Sequence, residues 1–548
     1  MKVAEAVARG LAAHGVDHVF GVVGSGNFHV TNALVAAGAR FVAAAHEGGA
    51  ASMADAFARV SGRLVALSVH QGPGVTNALT GVVEAAKSRT PLIVLAPEAT
   101  QPRSNFFIDL PGIAAAIGAG FRRVAADSVA GDVAEACRSA VAGAGKTVVL
   151  GLPLDVQGAT ATEVTSSHAP APPLAAPSDA ALGALVDALL TAERPVFIAG
   201  RGAARHAAIA RAALIELADR AGALLAVSAA AKGLFAGDPW YLDVSGGFAT
   251  PLAAELIGQA DLVVGWGSTL NMWTTRHGRL IAADTTVAQV DLEPAALGAN
   301  RPVDIAVCGE LAAVARACAD ALGRRGGPRS RWRSPATRAR IAAEGRWRAV
   351  PYVDDTADGR IDPRTLSIAL DDLLPLERTV VIDSGNFMGY PSMFLRVPDA
   401  AGFCFTQAYQ SIGLGLASAL GAAIARPDRL TVAALGDGGF LMSSAELVTA
   451  VRLGIPLAVV VYNDAAYGAE VHHFGPHGHP LDNVRFPDTD LAAIARGFGC
   501  AAITVRVPSD LAAAGQWLAG PRDRPLVIDA KVVSSHPSWW LEEAFRGH

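Results

Sequence analysis

The sequence has only five cysteines, and none of them is spaced as a metal site or a disulfide framework requires. The five, scattered along the chain without a CxxC pair, are Cys137, Cys308, Cys318, Cys404 and Cys500. Zinc sites are typically built from CxxC pairs, and small secreted proteins from many closely spaced cysteines. Both classes are therefore disfavoured, and a reducing cytoplasm is the location that fits best.

Charge and long apolar runs are also sparse. Charged residues make up 17% of the chain, the formal net charge is −5, and no basic run occurs, so nothing supports a nucleic-acid partner. Apolar stretches such as residues 457–461 are short and bounded by polar or turn residues, which predicts strands and no membrane span. The N-terminus has the pattern of a charged amphipathic helix, without the apolar core of a signal peptide. We expect a soluble protein that binds small molecules.

What the chain does have is ample apolar material and a regular alternation of elements. Hydrophobic residues make up 51% of 548 residues, enough for two or three domains. Short β-branched runs alternate with alanine-rich stretches of helical period, which predicts βαβ units and parallel sheets. The predicted strands are residues 64–68, 92–95, 195–199, 261–264, 287–291, 379–382, 430–434 and 457–462.

Two segments interrupt this alternation and look like linkers. Residues 157–178 are rich in Ala, Pro, Ser and Thr, and residues 326–363 are rich in Arg and Pro. We therefore predict an α/β fold of three domains with parallel sheets flanked by helices. The domains are expected near residues 1–160, 179–322 and 360–548.

The middle domain contains a glycine turn, Ala199-Gly-Arg-Gly202, directly after a predicted strand. Such a turn also occurs in dinucleotide-binding folds, but the third glycine is out of register here and short GxG turns are common. A turn that lets a helix pack on the strand is favoured over a bound nucleotide or flavin.

The strongest motif is Leu435-Gly-Asp-Gly-Gly-Phe440, followed after one more strand by Asn463-Asp-Ala-Ala-Tyr-Gly468. A carboxylate after one strand and an oxygen ligand after the next can converge on a hard cation, while glycine amides receive a diphosphate. Taken separately, the first motif could be a turn and the second a helix cap. Together they favour a site for a metal ion and a diphosphate.

This pair of motifs resembles the diphosphate-binding motif of the thiamine-diphosphate enzymes related to acetolactate synthase, pyruvate oxidase and benzoylformate decarboxylase. In that family the second ligand usually lies about 27 residues after the first aspartate, and Asp464 is in register, since 464 − 437 = 27. The resemblance implies thiamine diphosphate and Mg²⁺ as cofactors, with Asp437, Asp464 and the Ala466 carbonyl as metal ligands. It also implies cofactor contacts at Gly385, Asn386, Ile412, Gly438, Gly439, Tyr467 and Gly468.

At one ligand position this chain departs from the family, which more often has Asn where this chain has Asp464. The additional negative charge should strengthen attraction for Mg²⁺ and weaken attraction for a diphosphate.

In the N-terminal domain the resemblance makes Glu47, in Ala45-His-Glu-Gly-Gly-Ala50, the cofactor's activator. A glutamate hydrogen-bonded to N1′ of the aminopyrimidine favours the imino tautomer, whose N4′ can take the proton from C2. Without a cofactor, a glutamate in a first helical turn is also favourable near the helix dipole.

Two further segments match the family. Gln71-Gly-Pro-Gly-Val-Thr-Asn77 resembles its GPGxTN turn, which approaches the pyrimidine and places Asn77 there. Ile412, in Gln410-Ser-Ile-Gly413, matches the apolar residue that supports the bent shape of the cofactor. A tight turn and ordinary core packing are the alternatives for these two segments.

Proton-handling residues should decide which reaction follows. Ser25 and His70 occupy the positions where benzoylformate decarboxylase has Ser and His, and His473, with its neighbour His472, could line the entrance. His29 and His277 are weaker candidates, and for each histidine a surface or packing role is the alternative, although the functional role is favoured for His70.

Acetolactate synthases carry segments that this chain replaces. Residues 97–100 and 107–110 stand in place of their Gln-Val-Pro and Phe-Gln-Glu segments, and residues 268–274 in place of Arg-Phe-Asp-Asp-Arg. Pyruvate is therefore not assured as the substrate, and FAD is not expected.

We expect decarboxylation of a 2-keto acid, with transfer of the acyl unit to an aldehyde or to a second 2-keto acid. A simple decarboxylase that releases an aldehyde is the alternative. A catalytically silent binding subunit is a third possibility, which the presence of both Glu47 and Asp437 argues against. Because these residues come from different subunits in the family, the resemblance implies a homodimer or homotetramer with active sites at the subunit interface.

Overall fold

The computed structural model describes residues 1–162, 176–326, 330–535 and 537–544. Within them the chain forms three six-stranded sheets in succession, each with parallel pairing and flanking helices. This confirms the predicted α/β fold with three domains of parallel sheets. The exact domain boundaries stay predictions.

Each sheet is formed by six consecutive strands. The N-terminal sheet has the order β2-β1-β3-β4-β6-β5 and contains β1 (His18–Gly21), β2 (Arg40–Ala43), β3 (Val65–Ser68), β4 (Leu92–Glu98), β5 (Gly120–Arg123) and β6 (Thr147–Pro153). The middle sheet, ordered β12-β11-β10-β7-β8-β9, contains β7 (Pro195–Ala199), β8 (Leu224–Val227), β9 (Tyr241–Val244), β10 (Leu262–Trp266), β11 (Thr286–Asp291) and β12 (Ile305–Cys308). The C-terminal sheet, ordered β14-β13-β15-β16-β18-β17, contains β13 (Arg378–Ile382), β14 (Phe403–Phe405), β15 (Leu430–Gly436), β16 (Leu457–Asn463), β17 (Ala501–Val505) and β18 (Leu526–Lys531).

The α-helices of the described residues cover the faces and ends of these sheets. In the N-terminal domain they are α1 (Val3–Ala13), α2 (Phe28–Ala36), α3 (Glu47–Ser61), α4 (Pro73–Lys87), α5 (Leu110–Ala116), α6 (Val129–Val141) and α7 (Leu154–Gln157). The middle part has α8 (Asp179–Thr191), α9 (Arg201–Ala204), α10 (Ala207–Ala221), α11 (Pro251–Gly258), α12 (Met272–Thr275), α13 (Leu311–Arg324) and α14 (Pro335–Glu344). The C-terminal part has α15 (Pro363–Leu373), α16 (Gly389–Phe394), α17 (Gly415–Ala425), α18 (Asp437–Ser443), α19 (Leu447–Leu453), α20 (Gly468–Phe474), α21 (Leu491–Gly497), α22 (Ala512–Ala519) and α23 (Trp539–Ala544).

The first and third sheets have the same strand order. In each, the second strand lies on one side of the first strand and the third strand on the other. The carboxyl ends of the first and third strands of such a sheet flank a crevice where ligands commonly bind. The crevices here lie at the ends of β1 and β3 and at the ends of β13 and β15.

The eight predicted strands are all confirmed and all lie inside their sheets, whereas the six edge strands and four inner strands, β1, β6, β8 and β18, were not predicted. The edge strands β2, β5 and β17 are half-exposed over most of their length, so their sequences lack the continuous apolar run that marks the central strands. The predicted N-terminal amphipathic helix is α1. No helix in the described part of the chain is both long and apolar enough to cross a bilayer.

The segment 326–363, predicted as a linker, contains the helix α14. Ser334 caps its first turn by accepting from the Thr337 amide, Ile341 packs into the middle domain, and Arg340 pairs with Glu255 at 2.9 Å. The prediction of a plain linker is therefore wrong here, because one apolar residue and one ion pair anchor an otherwise polar helix. Most of the other predicted linker, residues 163–175, lies outside the described residues.

The N-terminal and C-terminal domains meet along α3 and α17. Nine consecutive residues of α3, Ala50 to Ala58, are buried, and so is nearly all of α17. The helices approach closely because the residues between them are small, and a Cβ added at Gly421 would collide with the carbonyl oxygen of Met53. A shared apolar core continues across this contact.

Gly421→Ala should destabilise the protein by about 1–3 kcal/mol, because the new methyl group would push α17 away from α3. The matched control is Gly183→Ala on α8, where a Cβ would meet nothing within 4 Å. The control should stabilise by about 0.5–1 kcal/mol through lower chain entropy. Thermal unfolding midpoints measure both, and equal midpoints for the two variants would contradict the close helix contact.

Candidate active site

Three aspartates lie at the carboxyl ends of neighbouring strands of the C-terminal sheet. Asp383 follows β13, Asp437 follows β15, and Asp464 follows β16. They lie beside a large cavity of about 2060 Å³ between the domains, which Asp437 and Asp464 line directly. Most of the cofactor residues predicted from the sequence line the same cavity, namely Gly385, Asn386, Ile412, Gly438, Gly439, Ala466, Tyr467 and Gly468.

Asp437 and Asp464 form a coupled pair of buried carboxylates. The backbone amides of Gly438, Ala465 and Ala466 donate toward Asp437, and the positive φ of 57° at Ala465 folds the loop back toward it. Burial raises the pKa of Asp437 to about 6. Burial, and then the charge of Asp437, raise the pKa of Asp464 to about 7.

A divalent cation would relieve this repulsion, since hard cations prefer carboxylate oxygens. Among the described residues no cluster of three or more His, Cys, Asp and Glu side chains could hold a metal ion. Further ligands would therefore be main-chain oxygens, phosphate oxygens or water, and the Ala466 carbonyl remains the predicted third protein ligand.

Glycines around this pair keep the neighbouring groups in close contact. A Cβ at Gly439 would collide with the Asp383 carboxylate, and one at Gly468 would collide with that of Asp464. A Cβ at Gly438 would meet the ring of Tyr467. The segment thus presents backbone rather than side chains to the cavity, as the binding of a diphosphate requires.

Asp383 anchors the turn that carries Ile412, and sequence reasoning missed it. Its fully buried carboxylate accepts from the amides of Ser384 and Gly413, both at 2.9 Å, and of Leu414 at 3.3 Å. Burial raises its pKa to about 6, although these amides oppose the shift. The available signal was an aspartate directly after a predicted strand, the same placement as Asp437.

In the N-terminal domain the predicted residues form a second group. Ser25 Oγ lies 3.3 Å from Nε2 of His70, whose Nδ1 lies 2.9 Å from the Gln71 carbonyl. Asn77 donates to Glu47 Oε2 at 3.1 Å. Gly74 stands between the two pairs, because a Cβ there would lie 3.0 Å from the His70 Cβ and 3.4 Å from Glu47 Oε1.

These two groups do not share the cavity within one chain. Its lining includes the C-terminal group but none of Ser25, Glu47, His70 and Asn77. His473 also lies outside the lining, with its ring against those of Phe474 and His477.

Glu470 lines the cavity and was not among the predicted site residues. It lies half-buried in the first turn of α20, directly beyond the Asp464 loop. Its position six residues after Asp464 was the signal available in the sequence.

The middle-domain glycine turn also lines the cavity. A Cβ at Gly200 would collide with the Gly267 carbonyl, and one at Gly202 would lie 2.9 Å from the Gly267 Cα, so strand-end packing alone requires both glycines. Six basic and three acidic side chains of the N-terminal and middle domains line the cavity, so this end carries an excess of positive charge, and burial together with Arg59 and Arg89 lowers the pKa of Arg201 to about 10. The charged lining residues of the C-terminal domain, in contrast, are Asp437, Asp464 and Glu470.

Comparison with known proteins matches the three domains in order. The models described as thiamine pyrophosphate enzyme, N-terminal TPP binding domain, central domain and C-terminal TPP binding domain match residues 1–108, 182–318 and 383–530. A probable 2-ketoarginine decarboxylase of Pseudomonas aeruginosa is 30% identical over 92% of this chain and 89% of its own. An acetolactate synthase large subunit of Parasynechococcus marenigrum is 28% identical over 96% of this chain and 87% of its own. A sulfoacetaldehyde acetyltransferase of Rhodobacter capsulatus is 28% identical over 86% of this chain and 83% of its own.

Asp464→Asn should make the stability of the metal-free protein less dependent on pH. Because the folded pKa of Asp464 is raised to about 7 from 3.8, this group favours the folded state at low pH, and that contribution is lost as pH rises toward 7. Thermal midpoints measured with a chelator from pH 5 to 8 should fall more steeply for the unmodified protein than for the variant. Asp482→Asn, at an exposed aspartate, is the control, and equal slopes for the protein and Asp464→Asn would contradict the coupling.

Proposed function

Since the chain belongs to the thiamine pyrophosphate enzymes, we propose that it uses thiamine diphosphate and Mg²⁺ to decarboxylate a 2-keto acid and to join the acyl unit to a second carbonyl compound. The observation that carries the proposal is the buried pair Asp437 and Asp464, which lines the cavity beside glycine backbone. The relatives include an acetolactate synthase, an acetyltransferase and a decarboxylase.

The residues present fit the cofactor at both of its ends. Asp437, Asp464 and the Ala466 carbonyl would hold Mg²⁺, and the backbone of Gly438 and Gly439 would receive the diphosphate. Ile412, on the turn that Asp383 anchors, would support the middle of the cofactor. When bound, thiamine diphosphate supplies a sink for the electrons of the bond that releases carbon dioxide.

Glu47 would exchange a proton with N1′ of the aminopyrimidine, and Asn77 holds its carboxylate in place by donating to Oε2. Ser25 and His70 would orient the substrate and handle its protons, since the two side chains are already within hydrogen-bonding distance of each other. His473, farther along α20, is proposed only as an entrance residue.

The size of the cavity supports carboligation. Sites for single small ligands usually measure about 300–1,000 Å³, and this cavity of about 2060 Å³ has room for an acceptor beside the donor. Its basic end would attract an anionic acceptor such as a second 2-keto acid.

A decarboxylase that releases an aldehyde is the second candidate. The observation favouring it is the supply of proton donors, Glu470 in the cavity and the Ser25–His70 pair. A donor that protonates the reacting carbon early would end the reaction at the aldehyde and prevent ligation.

We further propose a homodimer or homotetramer in which Glu47 of one subunit and Asp437 of another serve one cofactor. Support comes from large exposed apolar side chains beside both groups, which are Val23, Phe28, Phe106 and Phe107 near Ser25 and His70, and Leu441 and Met442 in α18, the helix that Asp437 begins. Phe28 and Met442 are 52% and 56% exposed in the single chain, and a second subunit would cover such surfaces. All five cysteines are free, in keeping with a cytoplasmic location.

A panel of 2-keto acids, each offered with and without an aldehyde or a second keto acid, tests the reaction. We expect carbon dioxide release that requires thiamine diphosphate and Mg²⁺, with a ligated hydroxyketone as the product. Glu47→Gln should lower turnover by about 10²-fold or more, while thermal shift shows that the cofactor still binds. Aldehyde as the sole product would establish the second candidate, and unchanged turnover of Glu47→Gln would refute the role of Glu47.

Mixing two inactive variants tests the shared site. Co-expressed Glu47→Gln and Asp437→Asn chains should form hybrids in which one site has both residues intact and the other has neither. With random pairing, activity should return to about a quarter of the unmodified level. Each variant expressed alone is the control, and hybrids without activity would show that the two residues do not meet between subunits.

A further inference from the structure

Glu446, a buried residue outside the proposed cofactor contacts, holds the peptide that leads into Glu47. Its carboxylate is 2% exposed and accepts from the Ala45 amide at 3.2 Å and the His46 amide at 3.0 Å. Thr449 donates to the same carboxylate at 2.7 Å. The two amides belong to the residues directly before Glu47, although Glu446 lies 400 residues farther along the chain.

The close fit of this contact explains a second feature of the motif around Glu47. A Cβ at Gly49 would collide with the Glu446 carboxylate, so only glycine leaves room for it. The Arg452 guanidinium also donates to the carbonyl of Ala43, the last residue of β2. Residues 446–452 thus hold residues 43–46 at several points.

Glu84 makes the reciprocal contact from the N-terminal domain. Its carboxylate, also 2% exposed, accepts from the Ala408 amide at 3.1 Å and the Tyr409 amide at 2.7 Å. These amides directly precede the turn 410–413, which carries Ile412. Both glutamates lie on the helical segments that follow the third strand of sheets with the same strand order, Glu84 after β3 and Glu446 after β15.

We infer that Glu446 and Glu84 are reciprocal positioning residues, each fixing the peptide before a cofactor-contacting residue of the other domain, Glu47 and Ile412 respectively. This inference rests on the proposed function. A carboxylate has two acceptor oxygens for two consecutive amides, whereas a glutamine has only one and sets an N–H₂ group against the second amide. The two amides held by Glu446 belong to His46, the N-cap of α3, and to Ala45 just before it, so neither has a partner within the helix.

The position of Glu47 matters because proton transfer depends steeply on distance. A displacement of about 1 Å at a reacting group can cost about 10²-fold in rate. Glu446 controls that position without belonging to the metal or diphosphate contacts, so its loss should affect proton transfer more than cofactor affinity.

The test uses full-length Glu446→Gln with thiamine diphosphate and Mg²⁺. Two quantities are measured, the Kd of the cofactor and the rate at which the C2 proton of the bound cofactor exchanges with deuterium. Exchange should slow by about 10- to 100-fold, while the Kd should change by less than about threefold, which corresponds to under about 0.7 kcal/mol. Glu84→Gln should raise the Kd by more than threefold and also slow exchange, because the residue that it positions, Ile412, would contact the cofactor directly.

Two variants separate positioning from general destabilisation. Asp132→Asn alters a carboxylate that is also 2% exposed and also holds a backbone amide, that of Ala125 at 3.2 Å, but outside both groups of site residues. It should lower the thermal midpoint without changing exchange. Thr449→Val removes only the hydroxyl that orients Glu446, so it should slow exchange mildly and keeps the test valid if Glu446→Gln does not fold.

The outcomes distinguish this inference from the proposed function. If the unmodified protein neither binds thiamine diphosphate nor exchanges its C2 proton, the proposed function fails. If the unmodified protein does both, the two variants decide the role of Glu446. Exchange of the C2 proton at the unmodified rate in both Glu446→Gln and Thr449→Val would overturn the positioning role. If Glu446→Gln lowers the thermal midpoint, the cofactor affinity and the exchange rate together, the role of Glu446 is purely structural. If Glu84→Gln leaves both the Kd and the exchange rate unchanged, the two glutamates are not reciprocal.

Discussion

The close packing of α3 against α17 is the constraint on which the rest of this structure depends. Glycine at 421 and small residues along α3 let two helix backbones meet across the domain boundary. Each helix follows the second strand of a sheet, and the two sheets share one strand order. Equivalent elements of two similar domains therefore face each other, which is why Glu84 and Glu446 make matching contacts in opposite directions.

The electrostatics of the cavity follow from the same arrangement. The sheet edge that ends β13, β15 and β16 brings Asp383, Asp437 and Asp464 together, and burial raises the pKa of each. Asp383 is stabilised by backbone amides from a neighbouring turn, so its charge serves the fold. Asp437 and Asp464 repel each other, so a bound cation would stabilise them more than it would stabilise Asp383. These two carboxylates are therefore the ones expected to bind a metal ion.

Sequence patterns predicted the parts of this protein that depend on short stretches of chain. Eight of the inner strands, the start of α3 and the placement of Asp437 and Asp464 after consecutive strands follow from local patterns or a fixed spacing, and the GDG motif fixes the end of β15. The positioning roles of Asp383, Glu84 and Glu446 could not be assigned in this way, because the distant amides that they hold lie tens to hundreds of residues away. The helix α14 was missed for a related reason, since Ile341 and Arg340 anchor it only through contacts with the middle domain.

Folding of the chain and completion of the proposed site depend on different contacts. Contacts within one chain fix the Glu47 group and the Asp437 group relative to each other, yet the cavity beside Asp437 contains none of the Glu47 group. Exposed apolar side chains border both groups, so each half carries a surface suited to a second copy. If two copies meet there, each cofactor would take Glu47 from one chain and Asp437 from the other. The contacts that position Glu47 at one site would then lie in the chain that supplies Asp437 to the second site. The α3 and α17 pair would then be the physical connection between two active sites, and the geometry of one site would depend on the packing of the other.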